Sequence, residues 1–289
     1  MHFPIALLPA LATPASQRRA ELAQALAQLC PHAVADEIAL VGSTAHGFAD
    51  DESDLELNLW AQTLPPLENR LNWLIAVGAA DIHAEASPRS DNSYWIGFQL
   101  GDIPGEVGWQ TFGALKAQLD LILSGGTIDR KTLTFADIIA SAIPLRSSGK
   151  LANWQATLSN YSDAVQRALI GAAVERWSRL DAISAARRLA QRGERLALAE
   201  VLLADVETAV RVLYAARRRW QPSRKWTLTV AQSFAPDLPA QIDAALGDPS
   251  LERRLELCAQ FCLDALAIVP ATYDVSAAVN ALRSGLESK

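Results

Sequence analysis

The spacing of hydrophobic and polar positions predicts strands in the first part of the chain. The stretch "DLELNLW" alternates with a period of two, so Asp54, Glu56 and Asn58 share one strand face and leucines occupy the other. Helical spacing over residues 16–29, with Ser16 as the cap, predicts a preceding helix. The remaining strands and a second helix are predicted from "EIALVG", "PPLENRLNWLIAVGA" (the helix), "DIHAEAS", "SYWIGFQLG" and, after the turn "GDIPG", "GEVGWQTF".

After about Phe112 the strand signals fade and helical periodicity replaces them. Residues 112–126 and 134–145 predict short helices, and residues 153–193 predict one long helix or two joined ones. Leu196, Leu203 and Val210 then recur every seven residues, which is typical of a helix in a bundle. The change of period predicts an α+β protein, with strands and helices in residues 1–112 and an all-α helical bundle in residues 113–289.

Composition is that of a soluble globular protein. Half of the 289 residues are hydrophobic, a fifth are charged, and no apolar run reaches the ~18 residues needed to cross a bilayer. The N-terminus is apolar but no basic segment precedes it, which favours a folded segment over a signal peptide. The odd number of cysteines (Cys30, Cys258 and Cys262) indicates a reducing cytoplasm, with Cys258 and Cys262 packed in a core.

Charge excludes some partners and suggests others. A net charge of −6 argues against broad nucleic-acid binding and against template-dependent polymerisation. The distribution is uneven, because acids crowd residues 50–56 without a base, while residues 208–235 contain six bases and no acid. A metal–polyphosphate site requires one cluster of each kind.

The stretch "LVGSTAHGFADDESDLELNLW", residues 40–60, carries the candidate chemistry. Gly42 and Ser43 offer close backbone donors and a hydroxyl to phosphate. Asp54 and Glu56, two apart on one strand face, can hold magnesium, and Glu106 from another strand can complete the site or take a proton from the acceptor. The alternative is a solvated acidic hairpin loop, which does not explain why the acids continue into the strand. Within the same stretch, Asp50 and Asp51 are predicted as solvated turn residues and Ser53 as the cap of the turn, and neither assignment needs a ligand.

This pattern of Gly-Ser, ten residues and Asp-x-Glu resembles the DNA-polymerase-β-like nucleotidyltransferase superfamily over roughly residues 16–112. The helical second half resembles small antibiotic-modifying members, such as aminoglycoside and lincosamide nucleotidyltransferases, and also minimal nucleotidyltransferase antitoxins. The resemblance implies a nucleotidyltransferase fold on a short mixed sheet flanked by helices, about two Mg²⁺ ions held by Asp54, Glu56 and Glu106, and nucleotide bound by Gly42 and Ser43. It also implies transfer of a nucleoside monophosphate with release of pyrophosphate.

Four features beyond the motif remain open to alternatives. Many relatives carry arginine where this chain has His46, which either contacts phosphate or hydrogen-bonds across the turn. In "YAARRRWQPSRKWTL" an R-x-K-W turn resembles one in which lysine approaches the nucleotide phosphates, so Lys225 is predicted there. The alternative is an exposed basic helix end that is favourable to the helix dipole. Trp220 or Trp226 stacks on a base or belongs to the core, and Asp205 and Glu207 either bind a cationic acceptor or face solvent.

The hypothesis is therefore a cytoplasmic, magnesium-dependent enzyme that moves a nucleoside monophosphate, with ATP as the expected donor, to a hydroxyl of a small molecule. The alternatives are transfer to a protein, as in an antitoxin, and a nucleotide-binding module with weakened catalysis. No membrane or nucleic-acid partner is expected. A homodimer is expected from relatives that pair, and the acceptor's identity stays open.

Overall fold

The computed structural model describes residues 8–126, 128–179 and 182–287. Residues 1–7, part of the predicted N-terminal segment, lie outside these ranges. The helices and strands, in chain order, are α1 (Pro14–Leu29), β1 (Glu37–Leu40), α2 (Gly42–Ala45), β2 (Leu55–Ala61), α3 (Leu67–Ala76), β3 (Ala80–Ala84), β4 (Tyr94–Leu100), β5 (Ile103–Thr111), α4 (Phe112–Leu123), α5 (Arg130–Ser141), β6 (Ile143–Arg146), α6 (Lys150–Ser159), α7 (Asp163–Trp177), α8 (Ala182–Gln191), α9 (Arg195–Ala216), α10 (Arg224–Ala231), α11 (Leu238–Gly247), α12 (Leu251–Ala267) and α13 (Ser276–Glu287).

The chain forms two compact units. The sheet unit contains the chain up to residue 121 together with residues 135–160, and the helical unit contains residues 122–134 and the chain from residue 161 onward. The predicted α+β class, a mixed sheet flanked by helices followed by a helical C-terminal part, is confirmed. The functional division into residues 1–112 and 113–289 stays a prediction. Within the described ranges, no helix is both long and apolar enough to span a membrane.

The sheet has the strand order β3-β4-β5-β2-β1-β6. β2 and β5 run parallel, and the other neighbouring pairs run antiparallel. Leu55, Leu57 and Leu59 are fully buried on one face of β2, so Glu56 and Asn58 between them lie on the opposite face. Burial of the leucines therefore fixes the register that brings the polar positions of neighbouring strands together.

Strand β6 was not predicted. The predicted helix over residues 134–145 ends at Ser141, and Ile143–Arg146 instead pairs with β1 at the edge of the sheet. Pro144 is compatible with this position because an edge strand has one side without a strand partner. A four-residue strand that contains a proline shows no detectable alternation of apolar and polar residues, which explains why the sequence pattern predicts a helix here.

The helices that follow β6 differ from the prediction in two places. Residues 153–193, predicted as one helix or two, contain parts of α6 and all of α7 and α8, and the Ser162 hydroxyl caps α7 by accepting a hydrogen bond from Ala164 N. The predicted seven-residue stripe on α9 is also wrong in part, since Leu196 is 76% exposed and Leu203 is 47% exposed. The buried stripe of α9 follows the 3.6-residue helical period through Leu198, Leu202, Val206, Ala209 and Leu213.

Two smaller assignments concern caps and cysteines. Thr13, not Ser16, caps α1, because its hydroxyl accepts a hydrogen bond from Ser16 N. Cys30 is buried in the sheet unit, and Cys258 and Cys262 are buried in the core of the helical unit. The thiols thus pack as small apolar groups, as their spacing predicts.

Candidate active site

The two predicted carboxylate segments meet on one face of the sheet. In the parallel pair β2–β5, Glu56 lies directly opposite Glu106, and Asp54 immediately precedes β2. One carboxylate oxygen from each of these three residues lies within 4.8 Å of the others. All three side chains are partly exposed, so the cluster is open to a ligand from solvent.

The three carboxylates fit a divalent cation by their donor set. Carboxylate oxygens are the ligands that Mg²⁺ prefers, and a site with few protein ligands leaves positions for water and phosphate oxygens. Arg89 lies 4.0 Å from Glu106 while it pairs at 2.6 Å with Glu85. Three carboxylates this close together repel one another, and a bound cation would offset that repulsion.

Gly42 lies against the carboxylate of Glu56. Its φ is +69°, and a Cβ atom at this position would lie 1.7 Å from Glu56 Oε2. Only glycine allows the chain to pass this close in a left-handed conformation. The predicted Gly-Ser turn is thus a single helical turn, α2, whose first residue lies against a carboxylate of the cluster.

The two residues after Gly42 carry buried hydroxyl groups. Ser43 and Thr44 are buried, and their hydroxyl oxygens have no hydrogen-bond partner among the residues that the structure describes. A buried hydroxyl without a partner is costly, and a ligand oxygen would remove that cost. This observation fits the prediction that Ser43 contacts nucleotide, which itself stays a prediction.

A buried arginine that the sequence did not reveal holds the acidic loop. Arg19 is fully buried on α1 and donates from Nε and Nη2 to the carbonyl oxygen of Ser53, at 2.8 and 2.6 Å, and from Nη2 to Asp51 O at 3.1 Å. It therefore fixes the backbone just before Asp54. In the sequence it is one of two adjacent arginines in an alanine-rich helix, and no pattern distinguishes it from its neighbour Arg18.

The loop before Asp54 has the predicted turn character. Asp50 and Asp51 are exposed, and the Ser53 hydroxyl donates to Asp50 Oδ1 at 2.7 Å while accepting from Asp50 N. The hydrogen bond from Ser53 is the largest cause of a lowered pKa at Asp50. These contacts make Asp50 part of the turn, and Ser53 its cap.

His46 has a partner that neither sequence alternative named. Its Nε2 lies 3.0 Å from Asp137 Oδ2, on α5, and its ring stacks on Phe48 with 5.8 Å between centroids. Both side chains of the His46–Asp137 pair are mostly buried. The pair therefore fastens the end of the Gly-Ser segment to α5.

In the helical unit, the acids predicted as acceptor ligands or solvent-facing residues are engaged in ion pairs instead. Glu207 is mostly buried and accepts hydrogen bonds from Arg130, Arg211 and Arg224. Burial, followed by the neighbouring arginines, lowers the pKa of Arg130 although Glu207 opposes the shift. Asp205 accepts from Arg176 Nε and Trp177 Nε1, at 2.6 and 3.0 Å.

Lys225 lies in the first turn of α10 and is exposed. The predicted break after α9 is present, but Lys225 is helical and not part of a turn. Trp220 is buried with its ring 4.5 Å from that of Tyr161, so it belongs to the core. The role of Lys225 at nucleotide phosphates stays a prediction.

One protein-family model matches part of the chain. Residues 128–227 match the family described as "Domain of unknown function (DUF4037)", a match that spans less than half of the chain. No curated protein is similar enough to count as a match.

Among solved structures, the chain is similar to a nucleotidyltransferase-like protein from Exiguobacterium sibiricum. The similarity covers 87% of this chain and 74% of the other, with 12% sequence identity and a TM-score of 0.41. A likeness this low supports no conclusion about the reaction, and the function proposed below rests on the carboxylate cluster and the Gly42–Ser43 segment.

Proposed function

We propose that the protein is a magnesium-dependent nucleotidyltransferase. The observation that carries this is the convergence of Asp54, Glu56 and Glu106 within 4.8 Å, with Gly42 packed against Glu56. Three carboxylates beside a close-approaching backbone suit a cation that bridges to phosphate oxygens. The donor is ATP and the acceptor is a small hydroxyl-bearing molecule, in a cytoplasmic protein that pairs as a homodimer.

Each residue of the site has its own role in the proposed reaction. Magnesium, when bound, supplies positive charge that offsets the charge developing on the phosphate oxygens. Asp54, Glu56 and Glu106 hold it, while Ser43 donates its hydroxyl hydrogen to a phosphate oxygen. Glu106 accepts the proton of the acceptor hydroxyl, and Lys225 neutralises charge on the phosphates. Arg19 keeps Asp54 in position through the backbone of Ser53.

Substitution of the metal ligands tests the proposal. Asp54→Asn and Glu56→Gln are expected to abolish magnesium-dependent pyrophosphate release over a panel of four nucleoside triphosphates and candidate acceptors, with unchanged thermal unfolding. Binding of Mn²⁺, followed by electron paramagnetic resonance, is expected to weaken at least tenfold in both variants. Asp51→Asn is the matched control, because Asp51 is an exposed acid of the same loop.

Two outcomes contradict the proposal. Pyrophosphate release that persists in both variants removes these carboxylates from the reaction. Absence of Mn²⁺ binding by the unaltered chain removes the metal centre. Labelled ATP added to a cell lysate with the protein identifies the acceptor class, since a labelled protein band would replace the small molecule by a protein acceptor.

A further inference from the structure

A cavity of about 370 Å³ adjoins the carboxylate cluster on the side of β4 and β3. It is lined by residues from four neighbouring segments of the sheet unit, among them Asp54, Asp81, His83, Gly97, Gln99 and Glu106. Two of its lining residues belong to the carboxylate cluster, so its contents would lie next to a metal held there. We call this cavity the β3–β4 shelf.

The strand register places a row of residues across the sheet. Glu56 pairs with Glu106, Glu106 pairs with Gly97, and Gly97 pairs with His83. Directly paired residues in a sheet point to the same face, so Glu56, Glu106 and His83 share one face. Gly97 contributes no side chain to this row, which leaves the space between Glu106 and His83 open.

The gap over Gly97 is real space. A Cβ atom built at Gly97 would meet nothing closer than the carbonyl oxygen of His83, at 4.0 Å. The two strand spacings between Glu106 and His83 amount to roughly 10 Å, which accommodates a sugar-sized molecule. The backbone here would tolerate a larger residue, so it is the absence of a side chain at Gly97 that keeps the space above the strand open.

Asp81 reaches the shelf through an irregularity in β3. The pairing register shifts between Ala80 and His83, and Asp81 has a φ of +47°. Such bulges re-aim a side chain and are common beside active sites. Among the residues that the structure describes, neither Asp81 nor His83 has an ion pair or hydrogen-bond partner for its side chain, so both are available to a ligand.

The chemistry of transfer assigns a side of the cluster to each reactant. This step rests on the function proposed above. In-line displacement places the attacking oxygen and the departing pyrophosphate on opposite sides of the α-phosphorus. Gly42 and Ser43 flank the β1 side of Glu56, so a pyrophosphate bound there leaves the attacking oxygen on the β4–β3 side, beside Glu106.

We propose that the β3–β4 shelf is the acceptor site and that it selects a small hydroxyl-bearing molecule with a positively charged group. The acceptor O–H loses its proton to Glu106, its oxygen bonds to the α-phosphorus, and the bond from that phosphorus to the bridging oxygen breaks to release pyrophosphate. Asp81 pairs with the positive charge, and His83 hydrogen-bonds a second hydroxyl.

The test uses D-glucosamine and its neutral counterpart N-acetyl-D-glucosamine as probes, with ATP and magnesium and the full chain. Gly97→Leu, which fills the shelf, is expected to lower glucosamine-dependent pyrophosphate release at least tenfold through KM. Gly113→Leu is the control, because Gly113 is exposed on α4 and also has open space around it. Asp81→Asn is expected to lower glucosamine use relative to use of the neutral probe, so that the preference for glucosamine is lost.

Binding measurements separate this proposal from the one it rests on. Calorimetry with a non-hydrolysable ATP analogue and magnesium is expected to give the same affinity in Gly97→Leu as in the unaltered chain. Three results overturn the acceptor assignment alone. They are glucosamine turnover that Gly97→Leu leaves intact, equal use of both probes by the unaltered chain, and use of neither probe while the ATP analogue still binds. Failure of the unaltered chain to bind the analogue and Mn²⁺ overturns the proposed function itself.

Discussion

Replacement of Gly42 by alanine tests whether backbone proximity to Glu56 is required for the proposed chemistry. The added Cβ would lie 1.7 Å from Glu56 Oε2, so that oxygen must retreat by more than 1 Å to reach a tolerable contact. A misplacement of about 1 Å in a reacting constellation costs roughly 100-fold in rate, or about 2.7 kcal/mol of transition-state stabilisation. For a residue with a Cβ, the φ of +69° also destabilises the folded state by about 1–2 kcal/mol.

Gly101→Ala separates the two effects. Gly101 also has a positive φ, +62°, but nothing lies within 4 Å of a Cβ built there. Both variants are therefore expected to lose about 1–2 kcal/mol in urea unfolding, while only Gly42→Ala loses pyrophosphate release and Mn²⁺ affinity.

The assay is steady-state pyrophosphate release at saturating magnesium, with Mn²⁺ titration as the measurement that does not depend on turnover. If Gly42→Ala keeps its rate and its Mn²⁺ affinity within threefold of Gly101→Ala, the contact with Glu56 has no catalytic consequence. The reasoning from backbone proximity would then be wrong even if the carboxylates themselves are essential.

Three further predictions concern buried groups of the sheet unit. Glu37→Gln is expected to lower the free energy of unfolding in urea by about 2–3 kcal/mol, because Glu37 Oε1 accepts three hydrogen bonds of 2.8–2.9 Å from the segment that begins α6. The control is Glu52→Gln, which changes an exposed acid and is expected to leave the free energy of unfolding unchanged. Arg19→Lys is expected to weaken Mn²⁺ binding several-fold with little change in ATP-analogue affinity, since an ammonium group cannot reproduce the forked contact with Ser53 O. Equal loss of both affinities would contradict a specific effect on Asp54. Burial raises the pKa of the Cys30 thiol from 9.0 to about 11. The unfolded state therefore releases the thiol proton first, and the free energy of unfolding falls by up to roughly 2–3 kcal/mol as the pH rises from 9 to 11. Cys30→Ala should flatten that decline in urea unfolding measured against pH.

The polar face of the sheet was predictable because it follows from local spacing. Alternation over residues 54–60 assigns the leucines to one face and the acids to the other, and burial of the leucines enforces that choice. Glu106 could be proposed as the third acid because it lies in a strand with the same kind of pattern. The parallel pairing of β2 with β5, which puts Glu106 directly opposite Glu56, depends on strand order, and local spacing carries no information about strand order.

The groups that hold the site in place were missed for a different reason. Arg19 and Glu37 are charged residues that are fully buried, and their partners are backbone atoms far along the chain. Hydrophobic periodicity marks a position as buried only when its side chain is apolar, so a buried charge is read as a solvated one. Both residues satisfy backbone groups at segment ends, Arg19 the carbonyls before β2 and Glu37 the N–H groups that begin α6. These two contacts fix where strand β2 begins and where the edge strand β6 is followed by a helix. A sequence pattern does not register either contact, because each depends on a residue more than 30 positions away.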